Sequence, residues 1–183
     1  MLIFLDSNVW NFLFDRQLDL LVELPRSTFK LAITREAEFE IPPIPSRLAA
    51  LKTFIKRAID EYPIKTDIYF GFGAPDLPPS EQRAAGFDFG RFASSEESAF
   101  IAAEIERWRR SGAKPKTLKT KLNKDEADIS LGARSLHHVV ITLDAKPGPL
   151  TRARDAGGRV VFLTDFDVSG LTLRAFIERS VGM

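Results

Sequence analysis

The chain has 183 residues, 44% of them hydrophobic, and its 26 basic and 25 acidic side chains give a formal net charge of +1. This length suits one buried core and predicts a single domain over residues 1–183, while the balanced charge excludes a global electrostatic signal for a nucleic-acid or membrane partner. Cysteine does not occur, which excludes disulfides, thiolate metal sites and cysteine nucleophiles and is typical of a protein of the reducing cytoplasm.

The first predicted element is the apolar run LIFL at residues 2–5, which ends at Asp6. It has no basic leader and is too short to cross a bilayer, so we expect a buried strand and neither a signal peptide nor a membrane span. Three later runs have a similar length and apolar character: residues 29–33, 139–142 and 160–163. Such near-continuous hydrophobicity is typical of parallel strands buried on both faces. Its alternation with helical patterns predicts an α/β fold with a central parallel sheet flanked by helices.

The segment ITREAEFEIPP follows the second predicted strand and offers three glutamates, Glu36, Glu38 and Glu40. Two interpretations of this segment remain open. One is a helix that follows Thr34. The other is a strand, because the alternation of residues 33 to 41 at a period of two also fits a strand with the glutamates on its solvated face.

The middle of the chain, residues 42–120, is predicted to be an insertion of helices and loops. One helix starts at Ser46, and a second starts at Ser94, where Glu97 has the spacing of a capping box. Between them residues 68–92 are rich in Gly, Pro and Phe without a sustained period, which predicts a structured loop or small lobe. Its phenylalanines are interpreted as plugs at the edge of the core; the alternative is an aromatic surface for a partner or for stacked bases.

A basic stretch without any acidic residue follows the second of these helical patterns. Its charged residues are Arg107, Arg109, Arg110, Lys114, Lys116, Lys119, Lys121 and Lys124. A charge run of this kind is usually a solvated surface. Because this one leads directly into an acidic segment, the preferred interpretation is a surface that binds nucleic-acid phosphates and steers them past the carboxylates.

The acidic segment NKDEADISLGA covers residues 123–133. Asn123 and Glu126 have the spacing of a capping box, so Glu126 and Asp125 are explained as acids at the positive end of a helix. Asp128 lacks such an explanation, since we expect it in the second turn, beyond the cap and beside an apolar face. A carboxylate there has to be solvated, paired or coordinated.

Two further acids, Asp6 and Asp144, follow predicted strands. The carboxyl ends of parallel strands open on one edge of a sheet, so these acids converge if their strands are neighbours, and a helix starting at that edge adds Asp128. Clustered carboxylates repel one another unless protons or cations offset them. Hard oxygen ligands without His or Cys favour magnesium or manganese over zinc. The three acids therefore predict a site for Mg²⁺ or Mn²⁺.

Three short motifs, FLDSNV at the first strand, DISLGARS opening with Asp128, and VITLDAKPG with Thr142 and Asp144, resemble in order and spacing those of the PIN-domain family. That family is the ribonuclease fold of many prokaryotic toxins of the VapC type. The resemblance covers both ends of the chain but not residues 42–120. It implies a three-layer PIN-like fold, metal-dependent hydrolysis of RNA, and an antitoxin and a second copy of the chain as candidate partners. The family's remaining acid is a glutamate on the helix after the second strand, for which Glu40 is the best match.

The predicted catalytic residues are Asp6, Glu40, Asp128 and Asp144. Of these, Asp6, Asp128 and Asp144 are expected to hold a divalent ion, which lowers the pKa of a bound water and neutralises charge on the phosphate. Glu40 is expected to support a second ion. Supporting residues are Asn8, Asp125 and Thr142. The predicted RNA contacts are Arg107, Arg110, Lys114, Lys116, Lys119, Lys121 and Lys124. His137 and His138 precede a strand and are interpreted as structural.

The sequence leaves three alternatives open. The segment VVFLTDFDVSG resembles the strand and DxDxxG motif of Toprim nucleic-acid enzymes, which would move the metal to Asp165 and Asp167, although little chain follows it. A haloacid-dehalogenase phosphatase would need a second aspartate where Asn8 stands. The third alternative is a catalytically silent module that binds RNA or protein, which metal-dependent turnover would distinguish.

Overall fold

The computed structural model describes residues 1–41, 44–73, 75, 77–111, 122–123 and 125–183. The strands are β1 (Leu2–Leu5), β2 (Lys30–Thr34), β3 (Lys65–Asp67), β4 (Tyr69–Phe70), β5 (Ala84–Ala85), β6 (Val139–Thr142) and β7 (Arg159–Phe162). The helices are α1 (Val9–Asp15), α2 (Leu20–Glu23), α3 (Arg35–Glu40), α4 (Ala49–Glu61), α5 (Ser95–Arg110), α6 (Glu126–Ser135), α7 (Pro149–Asp155), α8 (Phe166–Ser169) and α9 (Leu173–Ser180). Among these helices, none combines the length and the apolar composition that a bilayer-spanning segment needs.

A parallel sheet with the strand order β3-β2-β1-β6-β7 forms the centre of the described structure. Strand β1 pairs in parallel with β2 on one side and with β6 on the other. The chain therefore builds the sheet first in one direction from β1 and then in the other. In open parallel sheets, ligands bind at the carboxyl edge where the strand order reverses, which here is the end of β1 and β6.

Helices cover both faces of this sheet. Side chains along a strand alternate between its two faces, so the apolar strands present side chains to a helix layer on each side. On one face Ile3 and Leu5 pack with apolar residues of α1, α4 and α9. On the other face Phe4 packs with Leu131 of α6 and Leu150 of α7. These five side chains are buried. The predicted α/β fold, a parallel sheet between two layers of helices, is confirmed.

The predicted strands agree closely with the observed ones. Residues 2–5 and 139–142 form strands with the expected bounds, and the runs at 29–33 and 160–163 form strands displaced by one residue. Strand β3 has no counterpart among the predicted elements, because its sequence Lys-Thr-Asp is short and polar. It lies at the edge of the sheet, where a strand can do without an apolar run.

The segment after β2 is helical, so the alternative of a strand is wrong there. The Thr34 hydroxyl accepts a hydrogen bond from the Ala37 backbone N–H at 3.1 Å, and α3 begins between them. Both predicted helices of the insertion are present as α4 and α5. At the start of α5, Ser94 and Glu97 form the reciprocal hydrogen bonds of the predicted capping box.

The aromatic segment between α4 and α5 does not plug the core, so that interpretation is wrong. Its regular structure among the described residues is limited to the parallel pairing of β4 with β5 and one 3-10 turn at Pro79–Glu81. Phe72, Phe87 and Phe92 are 95%, 82% and 68% exposed, and their rings surround that of Phe70. The insertion therefore presents an aromatic cluster to solvent.

Helix α6 begins two residues later than a capping box at Asn123 implies. Asp125 occupies the N-cap position in the left-handed conformation, with φ of 64°, and makes no side-chain cap bond. The Glu126 carboxylate still accepts from the Asn123 backbone N–H at 2.7 Å, so half of the predicted box is present. Asp128 consequently lies in the first turn of α6, and its expected place in the second turn is wrong.

A buried hydrogen-bond network joins α3, α6 and β3. The Ser130 hydroxyl donates to Glu36 at 2.6 Å, and the Arg134 guanidinium donates to the Ser130 carbonyl at 3.0 Å and to the Asp67 carboxylate at 2.7 Å. The Arg134 side chain is fully buried, so its charge requires this partner. Arg91 of the insertion pairs with Asp67 as well. The network fixes α3 against α6, the two helices that flank the carboxyl edge of the sheet.

Candidate functional site

Asp6 follows β1 at the carboxyl edge of the sheet and is 4% exposed. Its carboxylate accepts hydrogen bonds from the Thr142 hydroxyl at 2.6 Å, the Asn8 side-chain amide at 2.6 Å and the Ser7 backbone N–H at 2.7 Å. Burial raises the pKa of Asp6, the three hydrogen bonds oppose that rise, and the charge of Asp144 adds to it. The hydrogen bonds therefore hold the carboxylate in one orientation, while burial still destabilises its charged form.

Asn8 and Thr142 tie the ends of the two central strands together. The Asn8 side-chain oxygen accepts from the Leu143 backbone N–H at 2.9 Å, and its amide donates to Thr142 Oγ1 at 3.2 Å. The same Thr142 oxygen accepts from the Asp144 backbone N–H at 2.9 Å, which fixes the turn that carries Asp144. Asn8 stands at the N-cap of α1 but makes no side-chain cap bond. Its side chain supports the strand ends instead of the helix.

Asp128 is half-buried in the first turn of α6 and faces other carboxylates. Burial, followed by the negative charges of Asp6, Asp144, Asp125 and Glu40, raises the pKa of Asp128 to about 7. An ordinary aspartate titrates at about 3.9. These acids come from four separate places in the sequence and are close enough for their charges to interact. We call them the acidic cluster: Asp6, Glu40, Asp125, Asp128 and Asp144.

Glu40, the last residue of α3, is the glutamate that the structure brings to the acidic cluster. Burial raises the pKa of Glu40, a hydrogen bond from the Ser7 side chain lowers it, and the charge of Asp6 raises it further. The other two glutamates of α3 have different partners. Glu38 forms an ion pair within the helix, and Glu36 accepts a hydrogen bond from α6.

Ser7 belongs to the site although no sequence pattern singles it out. Its backbone N–H binds Asp6 and its side chain binds Glu40, so it links the acid after β1 to the acid that ends α3. The only signal in the sequence is its position between Asp6 and Asn8. A serine after a strand is equally common in an ordinary turn, so that signal is weak.

The acidic cluster offers only oxygen donors, which are the ligands that Mg²⁺ and Mn²⁺ prefer. In the part of the chain that the structure describes, no three His, Cys, Asp or Glu side chains stand close enough together to hold one ion. The carboxylates are thus close enough for their charges to interact but too far apart to coordinate one ion together. Mutual repulsion at such a spacing raises pKa values, and a cation placed between the groups removes that repulsion. The chemistry of the donor set fits a divalent cation.

Asp165 and Asp167 lie beyond β7, the edge strand, and both side chains are exposed. The guanidinium of Arg16 donates two hydrogen bonds to Asp167 and so lowers the pKa of that carboxyl. An exposed, ion-paired carboxylate lacks the perturbation that the acidic cluster shows. The structure therefore gives no support to the Toprim alternative.

His137 and His138 precede β6 and so lie at the amino end of the sheet, opposite the acidic cluster. The His137 ring nitrogen is 2.8 Å from the Ser94 hydroxyl, and the His138 ring centroid is 5.8 Å from that of Phe4. These contacts tie α5 and the core to the start of β6. They fit the structural interpretation of both histidines.

The basic stretch is described only at its beginning. Arg107 pairs with Glu104 at 3.4 Å and Arg110 with Glu106 at 2.9 Å, and the two arginine side chains are 64% and 78% exposed. Lys114, Lys116, Lys119, Lys121 and Lys124 lie outside the described residues. Binding of RNA by this stretch therefore stays a prediction.

No family model and no curated protein sequence matches the chain. Among solved structures, one similar chain belongs to the crystal structure of VapBC2 from Rickettsia felis bound to a DNA fragment from their promoter. The similarity covers 87% of this chain and 97% of that chain, with a TM-score of 0.48 and 8% sequence identity. At this identity the likeness says nothing about shared chemistry.

Proposed function

We propose that this protein is a metal-dependent ribonuclease of the PIN type whose active site is the acidic cluster. The observation that carries the proposal is the state of Asp128, a half-buried carboxyl whose pKa is raised to about 7 beside four other acids. Perturbed carboxyl groups of this kind concentrate at functional sites. The cluster also lies at the carboxyl edge of the parallel sheet, where its strand order reverses.

A divalent cation balances the acidic cluster better than protons do. A proton on Asp128 neutralises one carboxylate and leaves the charges of the neighbouring acids in place. A divalent cation offsets two charges at once and can be shared by several carboxylates. Because the donors are all oxygens, we infer Mg²⁺ or Mn²⁺.

In the proposed site, Asp6, Asp128 and Asp144 would move closer together to hold the cation, and Glu40 would support a second one. When bound, a divalent ion lowers the pKa of a water molecule and neutralises charge on a phosphodiester under attack. Asn8 and Thr142 keep the acids after β1 and β6 in position through their hydrogen bonds. Asp125 adds negative charge beside Asp128 and so strengthens the attraction for a cation.

The choice of RNA as the substrate rests on the sequence. The three motifs that resemble the PIN-domain family contain Asp6, Asp128 and Asp144, and the basic stretch leads directly into α6. Lysine and arginine in that stretch are suited to bind phosphates beside an acidic site. The same resemblance supports a role as the toxin of a toxin–antitoxin pair, with a cognate antitoxin and a second copy of the chain as partners.

A single gel tests the proposed function. A mixed RNA pool is incubated with the protein and Mg²⁺, Mn²⁺ or a chelator. We expect cleavage with either metal and none with the chelator. RNA that is bound but stays intact under all three conditions would instead identify a catalytically silent binding module.

Replacing Glu40 by glutamine is expected to weaken Mn²⁺ binding by roughly tenfold, the effect typical of a group that supports a metal site. The matched control is Glu38→Gln, since Glu38 lies on the same helix but is engaged in an ion pair. Calorimetric titration with Mn²⁺ measures both. Equal affinities for the parent and Glu40→Gln would leave a site of three acids.

Changing Lys116, Lys119 and Lys121 together to alanine is expected to weaken RNA binding without changing which bonds are cut. Each phosphate contact releases counterions, so each lost lysine should reduce the log–log salt slope by roughly one unit. Binding is measured on uncleaved RNA with Ca²⁺ in place of Mg²⁺, and the cleavage pattern is compared separately. An unchanged slope would mean that the basic stretch is only a solvated surface.

A further inference from the structure

The aromatic cluster of the insertion leaves a large apolar surface in water. The exposed rings of Phe72, Phe87 and Phe92 lie 6.4, 4.5 and 4.6 Å from that of Phe70, measured between centroids. Because an aromatic side chain covers about 150–250 Å², these three rings together expose roughly 400 to 600 Å² of apolar surface. A patch of this size matches the largest found on a typical monomer and is often functional.

Hydrogen bonds fix the ring at the centre of the aromatic cluster. The Phe70 N–H donates to the Arg91 carbonyl at 2.7 Å, and the Gly71 N–H donates to the Ala85 carbonyl at 3.1 Å. The Arg91 guanidinium in turn donates to the buried carboxylate of Glu97 in α5 at 2.8 Å. The surface is therefore organised before any ligand arrives, and preorganisation of this kind lowers the cost of binding.

The aromatic cluster is a neighbour of the acidic cluster. Arg83, the residue before β5, donates to the Glu126 carboxylate at 3.0 Å, and Glu126 begins α6 directly after Asp125. Phe87 follows Arg83 by four residues, and a chain of that length spans at most about 14 Å. A polymer that lies across the acidic cluster can therefore reach the exposed rings as well.

The composition of the surface indicates which ligand it suits. Every large apolar side chain that is exposed among the described residues of 68–92 is a phenylalanine. Protein interfaces are enriched in methionine and arginine as well as in aromatic residues, whereas platforms for unpaired bases are built from aromatic rings. This segment has no methionine, and its two arginines, Arg83 and Arg91, are ion-paired. The rings are therefore best suited to flat, uncharged groups such as the faces of nucleobases.

We propose that the aromatic cluster binds RNA by stacking unpaired bases on Phe72, Phe87 and Phe92. The choice of RNA rests on the proposed function, to which the aromatic cluster adds a second binding surface on the insertion. Bases inside a duplex are already stacked on their neighbours, so single-stranded segments are the ligand. Asp88, which is exposed beside Phe87, gives the surface no attraction for phosphates. Stacking therefore supplies the affinity, and since it releases no counterions it should not depend on salt.

The test compares a short oligoadenylate with an abasic strand of the same length, which keeps the phosphates and lacks the bases. Binding is measured with Ca²⁺ in place of Mg²⁺. Phe72→Ala and Phe87→Ala are each expected to weaken binding of the oligoadenylate by about fivefold or more, the effect typical of a lost stacking contact. Binding of the abasic strand and the log–log salt slope should stay as in the parent. Parental affinity for the oligoadenylate in both variants would overturn the proposal.

Phe89→Ala is the matched control. Phe89 belongs to the same segment and is 81% exposed, against 82% for Phe87, but its ring takes no part in the ring contacts of the described cluster. Neither side chain is part of the core, so both variants should fold, which circular dichroism checks. The control should bind the oligoadenylate as tightly as the parent. Equal weakening by Phe87→Ala and Phe89→Ala would contradict the assignment to the aromatic cluster.

A second copy of the chain on the same surface would give a different result. Sedimentation equilibrium of the protein alone would then show a dimer that Phe87→Ala dissociates, while the affinity for the oligoadenylate stayed unchanged, and the proposal would be refuted.

The stacking surface and the proposed function can fail independently of each other. Oligoadenylate binding that depends on the rings, in a protein unable to cleave RNA, would refute the nuclease alone. Metal-dependent cleavage by a protein whose Phe72→Ala and Phe87→Ala variants bind the oligoadenylate like the parent would refute the stacking surface alone.

Discussion

Replacing Asp6, Asp128 or Asp144 by asparagine is expected to reduce RNA cleavage by at least about a hundredfold while the fold persists, because a loss of roughly 3 kcal/mol of electrostatic stabilisation corresponds to that factor. The amide keeps nearly the shape of the carboxyl group but removes the charge that holds a cation. The rate of cleavage, kcat/KM, is measured with Mn²⁺ for each variant. Circular dichroism checks that each variant is folded.

Asp165→Asn and Asp167→Asn are the matched controls for these three variants. Both side chains are exposed, and the pair of Asp167 with Arg16 is a surface ion pair, which contributes little to stability. Cleavage by these two controls should equal that of the parent. If Asp128→Asn and Asp144→Asn cleave as well as the parent, the acidic cluster is not the active site. Loss of cleavage in the controls, with folding preserved, would favour the Toprim alternative.

The metal-free protein is expected to lose stability as the pH rises from about 4 to about 7. The pKa of Asp128 is about 7 in the folded protein and near 3.8 in the unfolded chain, so the folded state binds more protons across this window. Stability falls with rising pH wherever the folded state binds more protons. The raised pKa values of Asp6 and Glu40 act in the same direction. We expect the free energy of unfolding, measured in urea with a chelator, to fall by roughly 2 to 4 kcal/mol.

The Asp128→Asn variant is the control for this pH dependence. Because asparagine does not titrate, the variant should lose most of the dependence and be more stable than the metal-free parent at pH 8, by about 2 kcal/mol. Mn²⁺ at a hundred times its dissociation constant should stabilise the parent by about 2.7 kcal/mol, and the variant much less. A parent that gains stability over the same pH range would contradict the electrostatic account of the cluster.

The central strands could be predicted because burial on both faces leaves a continuous apolar run, as at residues 2–5 and 139–142. Strand β3 could not, because an edge strand does not need such a run. The exposed aromatic cluster around Phe70 agrees with the alternative interpretation, an aromatic surface, and not with the preferred one. Composition predicts that large apolar rings are buried, and the short pairing of β4 with β5 instead leaves them at the surface.

The acidic cluster was predictable in part. Asp6 and Asp144 follow apolar strands, so the adjacency of those strands is enough to bring them together. The place of Asp128 depends on where α6 begins, and the left-handed conformation of Asp125 shifts that start. Glu40 reaches the cluster only because the segment after β2 is helical. The sequence there fits both a helix and a strand, so it does not decide between them.

The position of manganese in crystals grown with Mn²⁺, measured by anomalous diffraction, shows directly whether the acidic cluster binds the metal. We expect an anomalous peak at the carboxyl edge of β1 and β6, beside the carboxylates of Asp6, Asp128 and Asp144, and no such peak in crystals of Asp128→Asn. A peak at Asp165 and Asp167, or no peak at the acidic cluster at Mn²⁺ concentrations that support cleavage, would contradict this expectation.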